Sequence, residues 1–278
     1  MSPRMSQGCV LVLLLAMTLA MAAGMLAWGP IMVIPADHVF ADQRRWGGVP
    51  SIVNVVAGLP MLGVSAWGAR ALWRSKAWPG TMRSPWLAFF VLCALMSATA
   101  SIHHLDPGDT GYALVHAFAA GAFLMLGLSF MAERVDALFG SVPSIIGGLA
   151  VAGCSTLWWF AGQWASGHGD LRALLFFECL PLLLIPAGAL SLDGRYTAAS
   201  DWIAALGLYL VARVAGLADG VLYGVTGGLS GHTLMRLLLA ASATCLAYRA
   251  SVAPGSLSVP PVAIDDPTQS MTSLNTSS

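Results

Sequence analysis

Charge is what this sequence has least of. Of its 278 residues only 9 % are Asp, Glu, Lys or Arg, while 57 % are hydrophobic. A soluble domain carries roughly 25 % charged residues, so there is too little polar surface here to cover a globule in water, and lipid is the solvent that fits. Thirteen basic and thirteen acidic residues cancel, with no basic cluster, which leaves nucleic acid no electrostatic footprint to hold. The five cysteines, Cys9, Cys93, Cys154, Cys179 and Cys245, stand singly within apolar runs. Without a C-x-x-C pair they signal neither a disulfide framework nor a cysteine zinc site and read as small apolar packing residues. No G-x-S-x-G elbow, P-loop, H-E-x-x-H motif or internal repeat is present, which removes the commoner soluble hydrolase and nucleotide-binding classes.

What the chain does have is apolar length. Eight runs approach the about 20 residues that a spanning helix needs: 9–34, 50–74, 85–103, 111–132, 142–163, 173–190, 202–224 and 230–251. They are apolar throughout, without the two-residue alternation of a barrel strand, so helices are expected. The expected architecture is an all-α membrane protein in three parts: an N-terminal transmembrane helix over 1–35, a seven-helix membrane domain over 36–252, and a disordered cytoplasmic tail over 253–278. The tail is rich in Ser, Thr and Pro and poor in aromatics. Arg4 before the first run and Ala20-Met21-Ala22 within it also admit a cleaved signal peptide, but apolar character continues through Ile34, which favours an uncleaved helix. Arg4, Arg70, Arg74, Lys76, Arg83, Arg134, Arg195 and Arg249 fall on one side of this topology, against Arg44, Arg45 and Arg172 on the other. By the positive-inside rule both termini are cytoplasmic. The loops with most of the chemically useful residues then share the outer side.

Two stretches hold those residues. Thr99–His116 carries three of the six histidines, and Gly231-His232-Thr233-Leu234-Met235-Arg236 answers it more than a hundred residues later. His104 ends the third run and His232 opens the eighth, so two imidazoles from separate helices at one depth could hold zinc at about 2.0–2.1 Å each. A hydrolytic zinc normally has a third protein ligand and a water. Position 236 lies one turn beyond His232 on the same face, but it is Arg236, which stays protonated and has no lone pair to give. His116, one to two turns into the fourth run, is the alternative third ligand; His103 points about 100° from His104 and is a poor one. Glu178, Arg213 and Asp219 are charges inside apolar runs, each costing roughly 2.5–3.5 kcal/mol at mid-bilayer. With Arg236 they define either a polar cavity for a lipid headgroup or a packing pair such as Glu178 with Arg213 or Arg236. In the 35–49 loop, Asp37 and Asp42, near His38 and Gln43, are candidate divalent-cation ligands, for instance for calcium.

In order and spacing, DHVFADQRRWGGVPSIVNVVAGLP (37–60), SIHHLDP (101–107), AERV (132–135), GDLR (169–172), ALGLYLVARVAGLAD (205–219) and SGHTLMRLLLAA (230–241) resemble the bacterial branch of the alkaline ceramidase family of multi-pass membrane hydrolases. The resemblance runs from about Asp37 to Arg249. It implies a seven-transmembrane ceramidase-like bundle, here with one additional N-terminal helix, and zinc-dependent hydrolysis of the amide bond of ceramide-type lipids. It also implies His104 and His232 as zinc ligands. The family's third ligand falls on Arg236, its serine on Ala100 with Ser101 adjacent, and its aspartate on Val115 with His116 adjacent, so Ser101 and His116 are the remaining candidate catalytic side chains. Three readings follow: a divergent hydrolase using His104, His232 and His116; a metal-free lipid-binding or regulatory relative; and, from another class, a small-solute transporter. The expected partner is a membrane lipid, a ceramide-like substrate or ligand, in the bacterial inner membrane with the site facing the periplasm.

Overall fold

The structure is a computed structural model that describes residues 6–252; Arg4 and the 253–278 tail, on which two expectations bear, lie outside them. The described chain is helical, without a β-strand. Its α-helices are α1 (Gln7–Trp28), the short α2 (Ile52–Val56), α3 (Leu59–Arg74), α4 (Gly80–Leu105), α5 (Asp109–Arg134), α6 (Val142–Ser166), α7 (Arg172–Ser191), α8 (Ala199–Leu217), the short α9 (Asp219–Thr226) and α10 (Gly231–Ser251). Seven spans among the described residues are long and apolar enough to cross a membrane: α1, α2 with α3, and α4 to α8. The protein is an all-α integral membrane helix bundle.

The eighth expected span, α10, is helical but not apolar enough to stand in lipid alone. Its Thr233, Arg236 and Ser242 are buried, and it packs against α3 and α8. Polar residues on it are tolerated because they meet protein rather than acyl chains. Two other runs also differ from expectation. The first ends at Trp28 rather than Ile34, because Gly29 (φ 89°) and Pro30 stop the helix. The run 202–224 divides at Ala218 into α8 and α9, where the Asp219 carboxylate accepts the backbone N–H of Ala41 (2.8 Å) and of His232 (2.7 Å).

The core lies between α3, α4, α5, α7, α8 and α10. An aromatic ladder runs through it: Trp78–Trp86 (6.3 Å between ring centroids), Trp86–Trp202 (5.7 Å) and Phe130–Trp202 (5.3 Å). By contrast α1 packs on α7 at the periphery through Val10 and Leu14.

Loops gather at two ends. At the first, Leu171 N–H donates to Ile31 O (2.8 Å) while Asp170 accepts from Ile31 N–H (3.1 Å), His38 meets Asp109 (2.8 Å), and Arg44 donates to Gly228 O (2.6 Å). At the second, Glu133 accepts from the N–H groups of Tyr196 (2.6 Å) and Thr197 (2.7 Å), Arg134 donates to Thr197 O (2.9 Å), and Trp78 donates to Ala250 O (3.2 Å). The AERV and GDLR segments are therefore staples: Glu133 and Arg134 hold the α7–α8 loop, and Asp170 with Arg172 holds the segment after α1 against α7. Each replaces water for backbone groups that would otherwise be buried unpaired.

Candidate functional site

A chamber of about 610 Å³ runs through the bundle, within the range of about 300–1,000 Å³ usual for small-molecule sites. On α8 its wall extends from Trp202 to Leu217, about 22 Å at 1.5 Å per residue. Its deep part is apolar, with Met61, Phe89, Phe123, Leu126, Trp202 and Leu246. Its other end, towards the loops that join α3 to α1 and α10 to α9, carries the polar residues in two clusters. Leu217 lines this end and is 88 % exposed.

The first cluster is built by the tips of α4 and α10. His104 is 2 % exposed and meets His232 edge to face, 4.9 Å between ring centroids. Phe40, from the 35–49 loop, caps both rings at 4.3 Å and 5.1 Å. One turn along α10, Arg236 (5 % exposed) donates from Nη2 to Ser97 O (3.2 Å) and to Ser101 Oγ (2.8 Å). Ser101 Oγ in turn donates to Val55 O (3.1 Å), and Ser97 Oγ to Gly58 O (2.9 Å). Gly58 makes this slot possible: a Cβ there would stand 2.2 Å from Arg236 Nη2 and 2.6 Å from Ser101 Oγ.

The second cluster is centred on Glu178 of α7. Its Oε2 meets His116 Nδ1 at 2.7 Å, and Tyr209 OH donates to Oε1 at 3.1 Å. Tyr112 stacks on His116 (4.7 Å), and Phe123 packs edge-on against Tyr209 (5.0 Å). Arg213, one turn beyond Tyr209, lines the chamber from a more exposed position. A buried carboxylate costs several kcal/mol unless paired and hydrogen-bonded, and here both oxygens are engaged. Glu178 is thus bound to His116, not to Arg213 or Arg236, the partners expected from the sequence.

Of the sequence candidates, His104, His116, His232, Glu178, Arg213, Asp219 and Arg236 all line the chamber. Ser101 is a structural bridge between Val55 and Arg236. His103 also lines the chamber and meets His38 at a tilt (5.5 Å between ring centroids) and Tyr112 edge to face (6.1 Å). Asp37 and Asp42 have other work than a calcium ion. Asp37 accepts from Ile34 N–H (2.8 Å), closing the turn at Pro35–His38. Asp42, fully buried, receives Arg44 on both oxygens, and these Arg44 hydrogen bonds hold its carboxyl below the ordinary carboxylate value. Among the described residues no group of three or more His, Cys, Asp or Glu side chains could hold a metal ion.

For zinc the donor set decides the fit. Two imidazoles face each other, but the place of the third ligand is filled by a guanidinium pinned at Ser97 and Ser101, and His116 is committed to Glu178. A fixed cation about 4 Å away repels each unit of zinc charge by roughly 4 kcal/mol at an effective dielectric of 20. These residues do not fit a hydrolytic zinc.

The chain matches no protein-family model, no curated protein and no solved structure. Function is therefore argued from the chamber. Phe40, Gly58, Ser97, Tyr112 and Tyr209 were not singled out from the sequence. One signal was available for Tyr209: Ala205, Tyr209, Arg213 and Gly216 recur at helical spacing on one face of α8, and all line the chamber.

Proposed function

We propose that this chain is an intramembrane lipid-binding protein, built on a ceramidase-like frame, that holds one ceramide-like or related amphiphile without metal-dependent hydrolysis. One observation carries the reading: a long apolar chamber ends in a polar cluster in which Arg236 stands where a third zinc ligand would be needed. An acyl chain suits the apolar length, and a polar head suits the end lined by His104, His232, Arg236 and Arg213. The exposed Leu217 at the same end gives a membrane lipid a side-on route from the bilayer. Basic residues Arg70, Arg74, Lys76, Arg83, Arg195 and Arg249 belong to the opposite end, which supports a bacterial inner-membrane orientation with the site facing the periplasm.

The test is composition of the protein extracted and purified with its lipid. Native mass spectrometry should find about one lipid per chain, retained in the wild type and displaced when the chamber is narrowed by Ala119→Phe, and metal analysis should find zinc far below one per chain. Zinc near one per chain after metal-replete expression, with ceramide amide cleavage abolished by chelation, would overturn the reading in favour of hydrolysis. The hydrolytic alternative has one observation on its side, the convergence of His104 and His232 from segments distant in sequence.

A further inference from the structure

The chamber holds one buried cation, Arg236, that none of its own carboxylates pairs with. Arg236 is 5 % exposed, and only Nη2 of its guanidinium finds hydrogen-bond partners, Ser97 O and Ser101 Oγ. Nη1 is buried without a partner. Among the described residues no carboxylate forms an ion pair with Arg236. The acids that line the same chamber are already spoken for: Glu178 by His116 and Tyr209, Asp219 by the N–H groups of Ala41 and His232, and Asp37 by Ile34 N–H. None can turn to Arg236 without leaving another buried group unpaired.

A buried charge in low dielectric needs a counter-charge or water, and the protein supplies neither an acid nor an exposed position. We infer that the chamber takes an amphiphile whose headgroup is anionic, a carboxylate or a phosphate, with Arg236 as its counter-ion. The inference rests on the lipid-binding reading and narrows it from amphiphiles in general to anionic ones. A guanidinium is matched to such groups because it presents several N–H donors in one plane to two oxygens. The Gly58 slot holds that plane in place before a ligand arrives, so little side-chain freedom is left to lose on binding. Arg213, further along the chamber and closer to the surface, adds a second positive charge on the path of the head.

The probe is spin-labelled stearic acid in nanodiscs that contain the full chain, at alkaline pH where its carboxyl is ionised, compared with its methyl ester. The expected result is binding of the acid about tenfold or more over the ester, with the preference lost in Arg236→Met and kept in Arg236→Lys. Should Arg236→Met fail to fold, the wild-type comparison of acid with ester decides alone. Equal binding of acid and ester would overturn the anionic inference and leave the lipid-binding reading standing; binding of neither would overturn both. Inorganic phosphate that displaces the acid at millimolar concentration would support the anion chemistry and assign it to a free anion; failure to displace assigns it to the lipid headgroup.

Discussion

At the scale of single residues, the site depends on one missing side chain. Gly58 ends the α2 turn where Arg236 crosses from α10 to α4, and a methyl there would fall 2.2 Å from Nη2 and 3.0 Å from Ser97 Oγ. Gly58→Ala should displace the guanidinium from Ser101 and cost about 1–3 kcal/mol, the usual penalty of overpacking, read as a lower denaturation midpoint in detergent. In an Arg236→Met background part of that cost should disappear, because the clash with Nη2 goes while those with Ser101 Oγ and Ser97 Oγ stay; an equal cost in both backgrounds would mean that Arg236 is not what the glycine accommodates. The contrast also marks what a sequence can carry. The placement of Arg236 one turn after His232 follows from helical spacing alone. The need for glycine at 58 does not, since it arises from a partner 178 positions away that no local pattern announces. The same holds for Glu178 and His116: each is legible as an unusual polar residue, but their pairing is a property of how α5 packs on α7.

At the scale of elements, the 35–49 loop, whose two aspartates near a histidine suggested a cation site, is built as a strap. Asp42 and Arg44 tie it to itself and to Gly228, Asn54 Nδ2 reaches Asp42 O (3.4 Å), and Asp219 receives Ala41 N–H. Through Phe40 the strap covers His104 and His232. Asp219 explains why one apolar run became two helices: it stops α8, caps the start of α10 through His232 N–H, and holds the strap, three jobs that only tertiary contact reveals. Because Arg44 keeps the folded Asp42 carboxyl below its ordinary value, the strap's contribution is complete above about pH 3.9, the ordinary Asp value. It is lost only as pH falls through the lower folded value. Proteolysis within 35–49 should therefore stay slow from neutrality to about pH 4 and quicken below it, while Asp42→Asn should be cut readily at neutral pH. A wild-type loop already labile at neutral pH would contradict the strap.

At the scale of the whole molecule, the long apolar helices were readable from hydropathy, because the bilayer imposes length and composition on every span, whereas the division of 202–224 at Ala218 and the polar character of α10 were not. Chemistry was less readable because it depends on which side chains the bundle brings together. Ala100 of α4, Val115 of α5 and Arg236 of α10 all line the chamber beside His104 and His232; on the ceramidase-like frame proposed above, these are the positions for a serine, an aspartate and a histidine. The combined change Arg236→His, Ala100→Ser and Val115→Asp removes one positive charge and adds one negative charge while supplying a third imidazole. At roughly 4 kcal/mol per pair of unit charges about 4 Å apart, removing the guanidinium alone should strengthen zinc binding by more than two orders of magnitude. The purified triple variant is expected to carry zinc at close to one per chain where the wild type carries little, and Arg236→His alone should recover part of that gain. Should the triple variant fold, as judged by its denaturation midpoint, and still take up no zinc, the tips of α4 and α10 would not present their side chains so as to share a metal, and the ceramidase-like frame proposed above would have to be given up.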